Sequence, residues 1–199
     1  MSLYPPVKVG LLGLGTVGGG VTHVLARNAE EISRRAGREI VITHAAARNL
    51  DTTTANTADM KLTGEALEVV DDPEVSIIVE LMGGYEPARS LALRALSNGK
   101  HVVTANKALI ARHGNEIFAA ARTAGMMVGF EAAVAGGIPI IKAIREGLAG
   151  NRIEWVAGII NGTANFILSE MRDKGRDFPE VLAEAQALGY AEADPTFDI

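Results

Sequence analysis

The chain contains no cysteine. Disulfides and thiolate zinc sites are therefore excluded. Aldehyde oxidation through a thioester, which needs a cysteine nucleophile, is excluded with them. The formal net charge is −5 and Lys and Arg are scattered, so the clustered basic footprint of a nucleic-acid binder is missing. No cationic, apolar leader with a small-residue end opens the sequence. Tyr4-Pro5-Pro6 reads instead as a stiff lead-in to a strand, and a cytoplasmic location is expected. The most apolar stretch, residues 126–141, holds Glu131, Gly136-Gly137 and Pro139. It falls short of the ~20 apolar residues that a membrane span needs, so no membrane partner is expected. His23, His44, His101 and His113 show no metal-ligand spacing and are read as structural.

What is present is the composition of an ordinary globular protein: 199 residues, 48% hydrophobic and 22% charged. That length buries one good core, or one domain and part of a second. The most informative stretch is Val7-Lys8-Val9-Gly10-Leu11-Leu12-Gly13-Leu14-Gly15-Thr16-Val17-Gly18. An apolar run stops at Gly13 and a helical pattern begins after Gly15, the context in which Gly13, Gly15 and Gly18 read as a dinucleotide-binding turn. Gly13 permits the tight turn, Gly15 lets backbone approach a pyrophosphate, and Gly18 lets helix and strand pack closely. The pyrophosphate then faces the free N–H groups and positive end of a helix.

The remaining periodicity predicts alternating elements. Strands are expected at Val7–Leu12, 39–47, 76–81, His101–Thr104 and 126–133. Helices are expected at 16–36, 87–98 (ending at Gly99), Lys107–Ala124 and 138–148. The Thr- and Asp-rich stretch 50–62 reads as a mobile surface loop. This βαβαβ alternation argues for a doubly wound parallel sheet of the Rossmann type over residues 1–150. From 151 to 199 the pattern changes: 152–160 is strand-like, 163–174 and 178–188 are helical. These read as the truncated start of an α+β substrate domain.

Several polar groups fall where such a sheet binds ligands, at the carboxyl ends of its strands. Met82-Gly83-Gly84 follows the third predicted strand as a backbone-exposing turn suited to a nicotinamide. Ala105-Asn106-Lys107 follows the next one. Lys107 would point into the cleft as a proton relay or an anchor for a substrate oxygen; otherwise it is a solvated lysine at a helix N-terminus, an unfavourable place for a cation. At the end of the second predicted strand stand Ala47-Arg48-Asn49, and Arg48 tilts the cofactor towards NADP over NAD. Glu131 is a lone carboxylate in an apolar run and needs a cation or strong donors. Turn carbonyls nearby can complete an oxygen site for a hard cation; on composition alone, pairing with a lysine or with backbone amides is the favoured reading. Asn161-Gly162-Thr163-Ala164-Asn165 reads first as a helix cap. Glu192, Asp194 and Asp198 can hold a substrate ammonium, or form a solvated acidic loop.

Five segments together resemble homoserine dehydrogenase: Gly13-Leu14-Gly15-Thr16-Val17-Gly18, Val103-Thr104-Ala105-Asn106-Lys107, Glu131-Ala132-Ala133-Val134-Ala135-Gly136-Gly137-Ile138-Pro139, Ile159-Ile160-Asn161-Gly162-Thr163-Ala164-Asn165 and Leu188-Gly189-Tyr190-Ala191-Glu192-Ala193-Asp194-Pro195. The resemblance implies reversible NAD(P)-dependent oxidation of L-homoserine to L-aspartate 4-semialdehyde, on the way to threonine, methionine and isoleucine. It implies cofactor contacts at Gly13, Gly15, Thr16, Val17, Gly18, Arg48, Met82, Gly83, Thr104 and Asn106. Lys107 is expected beside the substrate hydroxyl as the catalytic group, with Glu192 and Asp198 on the substrate. The loop from Glu131 is expected to hold a sodium ion through the carbonyls of Val134, Gly136 and Ile138, which turns the reading of Glu131 towards a cation.

One departure is mild: Ala164 stands where the family usually has a second threonine. The other is at the end, since the family continues from the Asp-Pro loop into a Gly-x-Asp-x-x-x-Lys segment and a dimer-forming sheet, with an ACT domain in some members. The full-length protein is expected to be a homodimer. The 199-residue chain is expected to bind cofactor and to turn over homoserine poorly or not at all. Two rivals share the glycine turn. Oxidoreductases of the glucose–fructose type carry a Glu-Lys-Pro signature, whereas this lysine follows Thr104-Ala105-Asn106. A nucleotide-sensing module would need neither Lys107 nor Glu192.

Overall fold

The Val- and Leu-rich run that precedes the first glycine turn forms β1 (Val7–Leu12), with its last four residues buried. The computed structural model describes residues 4–50 and 55–191. Around β1 lie β2 (Ile40–Ala46), β3 (Lys61–Thr63), β4 (Ile77–Glu80), β5 (His101–Thr104) and β6 (Val128–Gly129) in the order β3-β2-β1-β4-β5-β6. Every pairing is parallel. This is the doubly wound Rossmann order, with its switch point between β1 and β4. Parallel strands need crossovers, and these put helices on both faces.

One face carries α1 (Thr16–Arg27) over Val9, Leu11, Ile42 and Ala45, and α2 (Ala29–Ala36) follows it with no buried residue. The other carries α3 (Ala66–Asp71), α4 (Ala88–Ser97) and α5 (Lys107–Ala124) over Leu12, Ile78 and Val102. Full burial of each such leucine or isoleucine contributes roughly 1.5–3 kcal/mol. The compact unit that holds this sheet is Met1–Ala149.

The expected long helix 16–36 is two helices. Asn28 sits between them at φ −110° and ψ 20°, its N–H bonded to the Val24 carbonyl and its carbonyl accepting from Ile32. Within the stretch expected as a loop, Lys61–Thr63 is instead β3, paired to His44, Ala45 and Ala46. Residues 51–54 of that stretch lie outside the described residues. Neither the three-residue β3 nor the six-residue α3 is long enough to show a period. The predicted strand 126–133 shrinks to Val128–Gly129 and runs into a 3-10 turn, Glu131–Ala133. The helix expected at 138–148 begins at Ile140 as α6 (Ile140–Lys142) and widens into a π turn, Ala143–Gly147.

A second unit, Gly150–Ile199, is a helical hairpin of α7 (Gly162–Lys174) and α8 (Phe178–Ala187). Ile167, Val181, Ala185 and Ala191 form its core. Arg176 ties the hairpin electrostatically, pairing with Glu170, Glu180 and Glu184. Residues 152–160, expected as a strand, form none. A strand takes its hydrogen bonds from a neighbour, and among the described residues none pairs with this segment. Trp155 and Ile160 are left 77% and 87% exposed.

Candidate active site

Sheet register assembles the site. Ala46, Leu12, Glu80 and Thr104 lie abreast on β2, β1, β4 and β5. The segments that follow therefore leave one edge of the sheet together: the turn at Gly13, the pair Arg48-Asn49, Met82-Gly83-Gly84 and Ala105-Asn106-Lys107. Gly129 pairs with Val103, so the loop from Glu131 starts at the same edge.

The glycine turn is built for close approach. Gly13 has φ +102°, and a Cβ there would stand 2.8 Å from the Leu81 carbonyl oxygen. At Gly18 a Cβ would stand 2.0 Å from the Gly13 carbonyl oxygen, so α1 can press on the turn only through glycine. Gly15 differs: nothing lies within 4 Å of its Cβ position. It is the N-cap of α1 and offers no side chain to the first N–H groups, while Thr16 and Val17 are exposed in that first turn. An open space before an uncapped twelve-residue helix is a fit place for a pyrophosphate.

Arg48 is exposed just past β2, where Rossmann folds in general place the residue that meets an adenosine ribose. Beyond β4, Gly83 and Gly84 both have positive φ. Lys107 is the exposed first residue of α5. Asn106 caps that helix, its Oδ1 accepting from the Leu109 N–H at 3.0 Å. The side chains of Thr104 and Asn106 are buried and bonded within the protein, Thr104 to Glu80 and Asn106 to the Gly84 carbonyl.

A further residue of the site, Glu80, carries no sequence signal beyond being a lone carboxylate in the apolar run Ser-Ile-Ile-Val-Glu-Leu. It is fully buried at the end of β4.

Glu131 is answered without a cation. Its Oε1 and Oε2 accept the N–H groups of Ile141 and Lys142, each at 2.9 Å. The Ile138 carbonyl accepts from Ile140 at 2.8 Å. The backbone-amide alternative thus accounts for this carboxylate, because α6 starts where its orphan N–H groups can reach it. Among the described residues no group of three His, Asp or Glu side chains could hold a metal, and no helix is long and apolar enough to cross a membrane.

In the second unit Asn161 caps α7, accepting from the Ala164 N–H at 2.8 Å, and the Thr163 hydroxyl donates to the Tyr190 carbonyl. Glu192, Asp194 and Asp198 lie outside the described residues.

An open glycine turn under a bare helix end, at the switch point of a six-stranded parallel sheet, defines a dinucleotide-binding Rossmann domain. Comparison with known proteins carries this further. Residues 13–131 match the family model "Homoserine dehydrogenase, NAD binding domain", and residues 139–199 match the model "Homoserine dehydrogenase". The chain belongs to the homoserine dehydrogenase family. It is 67% identical to the homoserine dehydrogenase of Pseudomonas aeruginosa over 98% of its own length and 44% of that protein's. The crystal structure of a homoserine dehydrogenase from Thiobacillus denitrificans superimposes with a TM-score of 0.92 at 70% identity, over 98% of this chain and 45% of that one. A hyperthermophilic archaeal homoserine dehydrogenase in complex with NADPH superimposes at 0.80 with 25% identity, over 98% of this chain and 65% of that one. The chain thus spans less than half the length of the curated relatives it matches.

Proposed function

We propose that this chain forms the cofactor-binding part of an enzyme that interconverts L-homoserine and L-aspartate 4-semialdehyde with NADP or NAD. The observation that carries the reading is the convergence, at one sheet edge, of the open Gly15 turn and the exposed Lys107. In this reading Gly13, Gly15, Thr16, Val17 and Gly18 hold the diphosphate through backbone N–H groups, and Arg48 meets a ribose 2′-phosphate, favouring NADP. Met82 and Gly83 lie against the nicotinamide, with Thr104 and Asn106 shaping that end of the cleft from beneath. The bound cofactor supplies hydride transfer. Lys107 holds the substrate oxygen through Nζ and handles its proton; Glu192 and Asp198 hold the substrate's ammonium group. Sodium at the Val134, Gly136 and Ile138 carbonyls does not carry this reading; the Glu131 carboxylate accepts two backbone N–H groups. A cytoplasmic location and a homodimer of the longer protein belong to the same reading.

The test has two parts. NADPH and NADH are titrated against the 199-residue chain, with binding of NADPH the tighter. Homoserine oxidation is then followed spectrophotometrically with each cofactor, on this chain and on one lengthened to match its relatives. Turnover only in the lengthened protein is expected. Failure of this chain to bind either nucleotide overturns the cofactor assignment.

A further inference from the structure

Glu80 is 0% exposed at the last position of β4, abreast of Thr104 on β5. Its Oε1 accepts the Met82 N–H at 2.8 Å, and its Oε2 accepts the Thr104 hydroxyl at 2.6 Å. Thr104 Oγ1 in turn accepts the Asn106 N–H at 3.0 Å, and Asn106 Nδ2 donates to the Gly84 carbonyl at 2.6 Å. The circuit leaves the Met82-Gly83-Gly84 turn, passes through the carboxylate and the end of β5, and returns to the same turn from the residue before Lys107. Both loops that it joins belong to the nicotinamide end of the cleft, and neither belongs to the glycine turn on β1.

Burying a carboxylate is costly, and an apolar side chain of similar size would serve stability as well or better. A rigid acceptor makes sense where two loops must keep one relative geometry. Gly83 and Gly84, at φ +75° and +71°, have no Cβ to restrict them. Their turn is held from below by Glu80 and Asn106.

We propose that Glu80 is a positioning residue for the nicotinamide end of the cleft, acting through the Met82-Gly83-Gly84 turn and the Thr104-Ala105-Asn106-Lys107 segment rather than by contact. This rests on the cofactor reading given above.

The test separates the two halves of the cofactor. NADPH and 2′-phospho-ADP-ribose, which lacks the nicotinamide, are titrated by calorimetry against the wild-type chain, Glu80→Gln and Thr104→Val, with thermal midpoints recorded. Glutamine keeps the shape and can still accept the Met82 N–H, but its NH2 then faces the Thr104 hydroxyl, whose proton loses its buried acceptor. In both variants NADPH affinity is expected to fall about tenfold, the size of one unsatisfied buried partner. Affinity for the fragment is expected to change less than about twofold, because the β1 turn is untouched. Equal losses for both ligands, or no loss for either in a folded variant, overturn the proposal alone. If Glu80→Gln does not fold, Thr104→Val decides. A wild-type chain that binds neither ligand overturns the cofactor reading and this proposal together.

Discussion

Gly15 and Gly18 stand three residues apart and answer different demands. Alanine at Gly18 would press a methyl to 2.0 Å from a backbone oxygen that cannot move without the turn. Gly18→Ala should therefore cost about 1–3 kcal/mol or more in chemical denaturation, as overpacking does. Gly15 has φ −75° and open space around it, so Gly15→Ala should change stability by less than about 1 kcal/mol. It should still weaken NADPH at least about tenfold, because the new methyl fills the space a diphosphate needs. A Gly15→Ala chain with wild-type affinity would show that the turn does not carry the phosphates. Lys107 makes a different prediction, since it lies at the surface on the first turn of α5. In a protein lengthened to match its relatives, Lys107→Ala should lower kcat by at least about 100-fold, the scale of lost acid–base catalysis, and leave NADPH affinity within about twofold. Stopped-flow turnover and a binding titration read the two separately.

At the scale of elements, polar ties around α3 and the start of β5 hold the sheet's helices in place. The Arg94 guanidinium bonded to Asp71 holds that carboxyl below its ordinary value of 3.8. Burial pushes Asp72 up, but the Glu74 N–H and the His44 ring outweigh it and leave Asp72 below 3.8 as well. Carboxyls depressed in the folded state add stability that is complete above their unfolded pKa and lost as pH falls through the folded one. Unfolding free energy should thus hold between pH 7 and 5 and decline below about pH 4. The gap between wild type and Asp72→Asn should close in the same window. A gap that stays constant from pH 5 to 2 would contradict it. Lys100 works in the opposite sense. Burial lowers its ammonium below the ordinary value, so its charge opposes folding until pH rises through the folded pKa; its bonds to the Asp72 and Val75 carbonyls offset that cost.

Over the whole molecule, the two units differ in how they bury their surface. The sheet is covered on both faces, whereas the hairpin has a small core, and residues 145–160 are exposed throughout. Cleavage follows exposure and lack of backbone bonding. Limited proteolysis should therefore cut first within 145–160 and leave a stable product of about the size of Met1–Ala149. That product should bind NADPH like the uncut chain. Early cuts within α4 or α5, seen by mass spectrometry, would refute it.

Most of the sheet was legible because local chemistry determines it. Short runs rich in Val, Ile or Leu make β1, β4 and β5, and the spacing of the glycines at 13, 15 and 18 marks a tight turn between strand and helix. His101–Thr104 and Lys107–Ala124 fall where their periods and caps place them. What the sequence could not determine depends on neighbours. Strand β3 exists because β2 offers it an edge, and 152–160 is no strand because nothing described pairs with it. Glu131 meets two amides only because α6 begins beside it. Glu80, one acidic letter in an apolar run, becomes the joint between two loops only when register sets β4 beside β5. Composition and spacing determined a dinucleotide fold and a catalytic candidate; long-range hydrogen bonding alone decided which buried charge organises the cleft around them.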